Sequence, residues 1–87
     1  MSNPSLLLVD DDRQVLDSMA DWLRSQGYDI DTAMDNAGAV AHLENRPYDL
    51  VLADVRLGED DGFDLLERCR RNWPHSQVLM MTGYGTP

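Results

Sequence analysis

The sequence predicts an α/β fold, a doubly wound parallel sheet with helices on both of its faces. Two observations carry that reading. Strand-like apolar runs alternate with helix-period stretches in the order β-α-β-α-β-α-β along the 87 residues. The intervening helices run roughly three turns, the length that right-handed parallel crossovers need.

Ser5–Val9 is continuously apolar after its first residue, as a strand buried on both faces must be. From Asp12, the residues Val15, Leu16, Met19, Trp22 and Leu23 form one helical stripe, with Asp12 suited to the N-cap and Gly27 to the position after the helix end. Tyr28 to Thr32 alternates apolar and polar, the pattern of a half-exposed edge strand. Asn36 can cap a second helix that turns Ala37, Val40, Ala41 and Leu43 inward and stops near Asn45-Arg46-Pro47. Tyr48 to Ala53 is a second buried-strand run and ends on Asp54. A polar loop from Arg56 to Asp61 leads into a helix over about residues 62–72, broken at Trp73-Pro74. The fourth strand, Gln77 to Met81, ends on Thr82.

Composition excludes several functions. The chain carries 16 acidic and 7 basic residues for a net charge of −9, and every basic residue is Arg. Such a surface repels nucleic acid and anionic membranes, so no direct nucleic-acid contact and no membrane contact is expected of this segment. The single cysteine, Cys69, cannot form an internal disulfide, which suits a reducing cytoplasm. No apolar run approaches the roughly 20 residues that span a bilayer, and no cleavable leader is visible. A cytoplasmic location is therefore expected. His42 and His75 lack a second His or Cys at ligand spacing and read as surface residues. Cys69 reads as packed and inert, and Trp22 as a core or helix-flank residue.

In a parallel sheet, ligands bind outside the carboxyl ends of the strands. Here those ends carry Asp10 and Asp11, then Asp54, then Thr82. If the first and third strands are neighbours, three carboxylates share one pocket. Two like charges about 4 Å apart repel by about 4 kcal/mol at an effective dielectric near 20, so a proton or a cation must intervene. Hard, anionic oxygen ligands suit Mg²⁺, which commonly bridges to phosphate. With the Thr82 hydroxyl alongside, the expected chemistry is phosphoryl transfer to a carboxylate.

Val9-Asp-Asp11, Asp54 at the end of an apolar strand, Asp61-Gly62 ahead of a helix and Met80-Met-Thr-Gly83 together resemble the receiver domain of bacterial two-component response regulators. The resemblance implies a flavodoxin-like sheet of strand order 2-1-3-4. It also implies that residues 1–87 form the N-terminal two-thirds of a single receiver domain, with the last third absent. It makes Asp54 the phosphoacceptor, taking its phosphoryl group from a sensor histidine kinase. Mg²⁺ would be held by Asp11, Asp54 and the backbone carbonyl of Arg56, with Asp10 holding a metal-bound water or standing just behind the ligands. Thr82 would hydrogen-bond a phosphoryl oxygen and, by turning inward, report phosphorylation. Ala53 leaves room at the site. Such a module is a switch that assists its own phosphoryl transfer, not an enzyme, and it controls a downstream effector domain. Met80 to Gly85 is similar to receivers attached to transcription activators of the nitrogen-regulation type. The sequence departs from the family pattern at Leu57-Gly58, where Met-Pro is usual, and in having no Lys. A chain ending at Pro87 would leave the fourth strand an uncovered apolar edge, open to a second copy in a homodimer.

Two other readings stand beside this one. Asp10-x-Asp12 after an apolar strand also resembles the start of haloacid-dehalogenase-like phosphatases, with Asp10 as nucleophile and Asp12 as acid, although Gln14 and the unexplained Asp54 fit that family poorly. A receiver that is never phosphorylated and only mediates protein contacts is the third.

Overall fold

In the computed structural model, residues 3–57 and 60–81 are described, the side chains of residues 56, 57 and 60 excepted. Thr82, Gly83 and Gly58 therefore lie outside the described residues. The elements in order are β1 (Ser5–Val9), α1 (Arg13–Ser25), β2 (Asp29–Ala33), α2 (Asn36–Asn45), β3 (Leu50–Asp54), β4 (Arg56–Leu57), β5 (Asp60–Asp61), α3 (Gly62–Asn72) and β6 (Gln77–Met81). Four strands form one parallel sheet in the order β2-β1-β3-β6. This is the expected order, with β6 as the fourth sheet strand. The stretch expected as a plain polar loop instead contains a small antiparallel ribbon, β4 against β5.

Alternation along the strands divides the core in two. Leu7, Val9, Val51 and Ala53 point to one face and pack with Ala39 and Leu43 of α2 and with Leu65 and Cys69 of α3. Leu6, Leu8 and Ile30 point to the other and pack under Leu16 and Ala20 of α1. β1 is paired on both sides, which explains why its apolar run is unbroken. β2 lies at an edge, but its burial does not alternate as the sequence pattern suggested: Ile30 is buried on the α1 side and Ala33 on the side of α2 and α3.

The helix ends refine the sequence reading. Asp12 caps α1, accepting from the N–H groups of Gln14 at 3.0 Å and Val15 at 3.3 Å. Gly27 follows the helix with φ +98°, in the left-handed region that a side chain resists. For α2 the cap is Asp35 rather than Asn36: its carboxylate accepts from the Gly38 N–H at 2.7 Å, and Asn36 is the first helical residue. The buried residues of α2 are Ala39 and Leu43, with Ala37 and Ala41 exposed. On α1 the expected stripe holds in part: Leu16 is buried, and Met19 and Leu23 pack against the core. Ala20 is buried, whereas Trp22 is 62% exposed and Val15 40% exposed. His42, expected at the surface, is half-buried and places Nε2 3.0 Å from the Thr32 carbonyl oxygen, tying α2 to β2. Cys69 is fully buried as expected, and burial pushes its thiol pKa up.

A polar cluster joins the end of α2 to β2. Arg46 Nη2 bonds Asp29 at 2.8 Å, Arg46 Nη1 lies 3.5 Å from Asp31, and the guanidinium stacks 5.0 Å from the Tyr48 ring centre. The buried Tyr48 hydroxyl donates to Asp31, and burial together with that carboxylate pushes the phenol pKa up. Among the described residues, no helix is long and apolar enough to cross a membrane.

Candidate functional site

The carboxyl edge of β1 and β3 gathers the acids that the sequence placed at strand ends. β1 pairs with β3 through Val9 and Ala53, so the residues immediately following each, Asp10 and Asp54, emerge side by side. Asp10, Asp11 and Asp54 each present a carboxylate oxygen, and these oxygens all lie within 4.8 Å of one another. They line a pocket completed by Asp12, Val15, Met19 and Met81. Asp10 is 7% exposed and Asp54 9% exposed, while Asp11 stands at the open side.

The three adjacent acids have different surroundings. The Asp10 N–H donates to the Ala33 carbonyl at 3.1 Å, and the Asp10 carboxylate accepts from the Asp12 N–H at 2.9 Å. Asp12 spends its carboxylate on the start of α1. Burial pushes the Asp10 carboxyl pKa up, the Asp12 N–H opposes this, and the charges of Asp54 and Asp11 reinforce the rise.

That rise has a thermodynamic consequence. A carboxyl with a higher pKa folded than unfolded stabilises the native state below its ordinary value of 3.8, and that contribution is lost as pH climbs through the folded value. At neutral pH without a cation, Asp10 therefore works against folding. Asp10→Asn keeps the oxygen that accepts from Asp12 and removes the charge. Urea unfolding at pH 7 in EDTA should show Asp10→Asn stabilised by about 1 kcal/mol, and the gain should vanish at pH 3. An unchanged or lower stability at pH 7 would show that crowding there is already relieved.

The donor set fits Mg²⁺. Three carboxylates converge without any His or Cys among them, a hard oxygen environment with the negative charge that a divalent cation offsets. Arg56 begins the ribbon two residues beyond Asp54, which places its backbone at the same edge. Thr82, the remaining expected site residue, lies outside the described residues. Sequence reasoning passed over the backbone that supports Asp54. The Val55 N–H donates to the Met81 carbonyl, and the Gly62 N–H donates to the Val55 carbonyl, each at 2.9 Å. The Asp61-Gly62 pair was visible in the sequence, but only as a helix start.

Comparison with known proteins agrees with this geometry. Residues 6–87 match the model of the response regulator receiver domain. The photosynthetic apparatus regulatory protein RegA of Cereibacter sphaeroides is 36% identical over 81 residues, an overlap of 93% of this chain and 44% of RegA. The chain thus spans less than half the length of that relative. Among solved structures, a CheY-like response regulator receiver domain protein from Methanospirillum hungatei superposes with a TM-score of 0.90 at 34% identity, over 98% of this chain and 68% of that one. The Thermotoga maritima response regulator TrrA, solved in complex with Mg²⁺-BeF, gives 0.86 at 26% identity, over 94% of this chain and 71% of that one. With its sheet order, its acidic pocket and its sequence all in agreement, the chain belongs to the response regulator receiver domain family.

Proposed function

We propose that this segment is the phosphoacceptor module of a two-component response regulator and that Asp54 is the phosphorylated residue. The observation that carries the reading is the convergence of Asp10, Asp11 and Asp54 at the carboxyl ends of two paired parallel strands. An Asp54 carboxylate oxygen attacks the phosphorus of a phosphohistidine on a sensor histidine kinase. The P–O bond forms, the P–N bond breaks, and the imidazole leaves. Asp11, Asp54 and the Arg56 carbonyl would hold Mg²⁺, with Asp10 holding a bound water or standing just behind the ligands; that the related TrrA was solved in complex with Mg²⁺-BeF supports a Mg²⁺ site in this family. When bound, the ion offsets the negative charge that gathers on Asp54 and the phosphoryl oxygens. Thr82 takes a hydrogen bond position on the phosphoryl group and couples it to a population shift of the domain. The segment is a switch rather than a turnover enzyme. It acts in the cytoplasm on a linked effector domain, a transcriptional one by analogy with the regulatory relatives.

The test is to incubate the full-length protein with Mg²⁺ and acetyl phosphate and to map the acyl phosphate by mass spectrometry. Label on Asp54 is expected. Label on Asp10 would instead support the phosphatase reading, which the use of Asp12 as a helix cap already disfavours. No label would leave an interaction domain that does not accept phosphate.

A further inference from the structure

We propose that Gly62 is a positioning residue for the aspartate pocket, fixing the backbone of Asp54 and Val55 by offering no side chain where α3 meets β3. The proposal rests on the reading of Asp54 and its neighbours as a Mg²⁺-dependent phosphoacceptor site. Gly62 opens α3 and is buried. A Cβ at Gly62 would stand 2.2 Å from the Asp54 carbonyl oxygen, 3.1 Å from its carbonyl carbon and 2.8 Å from Met80 Cε. The Met80 methyl ends a flexible chain and can swing aside, but the Asp54 carbonyl is backbone and cannot. Gly62 does not share the positive φ of Gly27, so what it supplies is space rather than conformational freedom.

Both partners in this contact are anchored. α3 is seated by Leu65 and Cys69, each 0% exposed. β3 is held between Val9 of β1 and Met80 and Met81 of β6. A side chain at position 62 must therefore be absorbed by the piece between them, the peptide joining Asp54 to Val55. The N–H of that peptide, from Val55, donates to the Met81 carbonyl, and the next peptide, through the Val55 carbonyl, accepts from the Gly62 N–H. It also leads directly into Arg56, whose carbonyl is assigned to the metal. Shifting it turns the Asp54 carboxylate and moves the Arg56 carbonyl together. Mg²⁺ demands near-octahedral oxygens at about 2.0–2.1 Å, so such a shift registers as lost metal affinity.

The experiment is Mg²⁺ titration calorimetry on the full-length protein, with urea unfolding as a parallel measurement. Gly62→Ala is expected to raise the Kd for Mg²⁺ at least about tenfold, the range seen when groups that orient metal ligands are disturbed. Gly38→Ala is the comparison. Gly38 lies in the first turn of α2, and a Cβ there would also be crowded, 3.1 Å from Asp35 Oδ1 and 3.4 Å from Ala33 Cβ, but away from the pocket. Its Mg²⁺ Kd is expected to match the wild type whatever its stability. Should Gly62→Ala fail to fold, the cap residue Asp61, which accepts from the Phe63 N–H at 2.9 Å, gives a gentler probe of the same turn. Asp61→Ala and Asp61→Asn lose the same charge, but only Asn keeps an accepting oxygen, so Ala is expected to bind Mg²⁺ about threefold more weakly than Asn. Gly62→Ala within twofold of the wild type, or equal Kd values for the two Asp61 variants where Gly62→Ala does not fold, overturns the positioning role alone. A wild-type protein that binds no Mg²⁺ overturns the phosphoacceptor reading with it.

Discussion

Asp54→Asn should lower acyl phosphate formation from acetyl phosphate by about a thousandfold or more, the scale on which removal of a nucleophile acts. The amide has the size of the carboxylate but no anionic oxygen to attack phosphorus. Because Asp54 is nearly buried at the end of β3, an isosteric change should leave the sheet intact. It also takes one negative charge out of a trio whose oxygens lie within 4.8 Å. The variant should therefore be at least as stable as the wild type in EDTA while being inert to the phosphodonor. That combination separates loss of chemistry from loss of fold. Label persisting at the wild-type level on Asp10 or Asp11 of the variant would sink the assignment of Asp54.

The largest effect on stability is expected at Leu7. It is 0% exposed in the strand paired on both sides, and it belongs to the cluster that joins the sheet to α2 and α3. Leu7→Ala removes three heavy atoms from a site where neither neighbouring strand can close the gap. The expected cost is about 3–4 kcal/mol, a large part of the total for a domain of this size. Leu79→Ala, the same chemical change on a side chain already 55% exposed, should cost less than about 1 kcal/mol. Urea unfolding with unchanged m-values measures both. Equal costs at the two positions would mean that the burial difference between the faces is not what holds the sheet together.

The legible parts of this chain are those in which one segment decides its own environment. From Leu6 to Val9 the chain is apolar throughout because a central parallel strand has no solvent face, and acids following such runs must surface at its carboxyl end. That reasoning put Asp10, Asp11 and Asp54 at one edge of the sheet, and the strand order implied by the resemblance made them neighbours. Where two adjacent residues offer the same chemistry, the pattern could not choose: Asp35 and Asn36 are both good caps, and the extended backbone at Asp35 settled it. Side-chain size misled on α1. Ala20 faces the sheet because a small residue suits close approach there, whereas the larger Trp22 stands at the rim. The Arg46 cluster and the closure of Gly62 on Asp54 were invisible for another reason. Each is a meeting of distant segments, and nothing within either partner announces it.

The double pairing of β1 also shapes how the chain reaches this structure. Leu6 lies opposite Ile30, 24 residues on, and opposite Leu50, 44 residues on. The shorter loop closes at less entropic expense, so β1, α1 and β2 can assemble while the rest of the chain is still searching. Until β3 arrives, the other edge of β1 has no partner and Leu7 and Val9 lack half their cover. The acids of the pocket meet only when β1 and β3 have paired, so the sheet pairing with the largest sequence separation is also the one that creates the site.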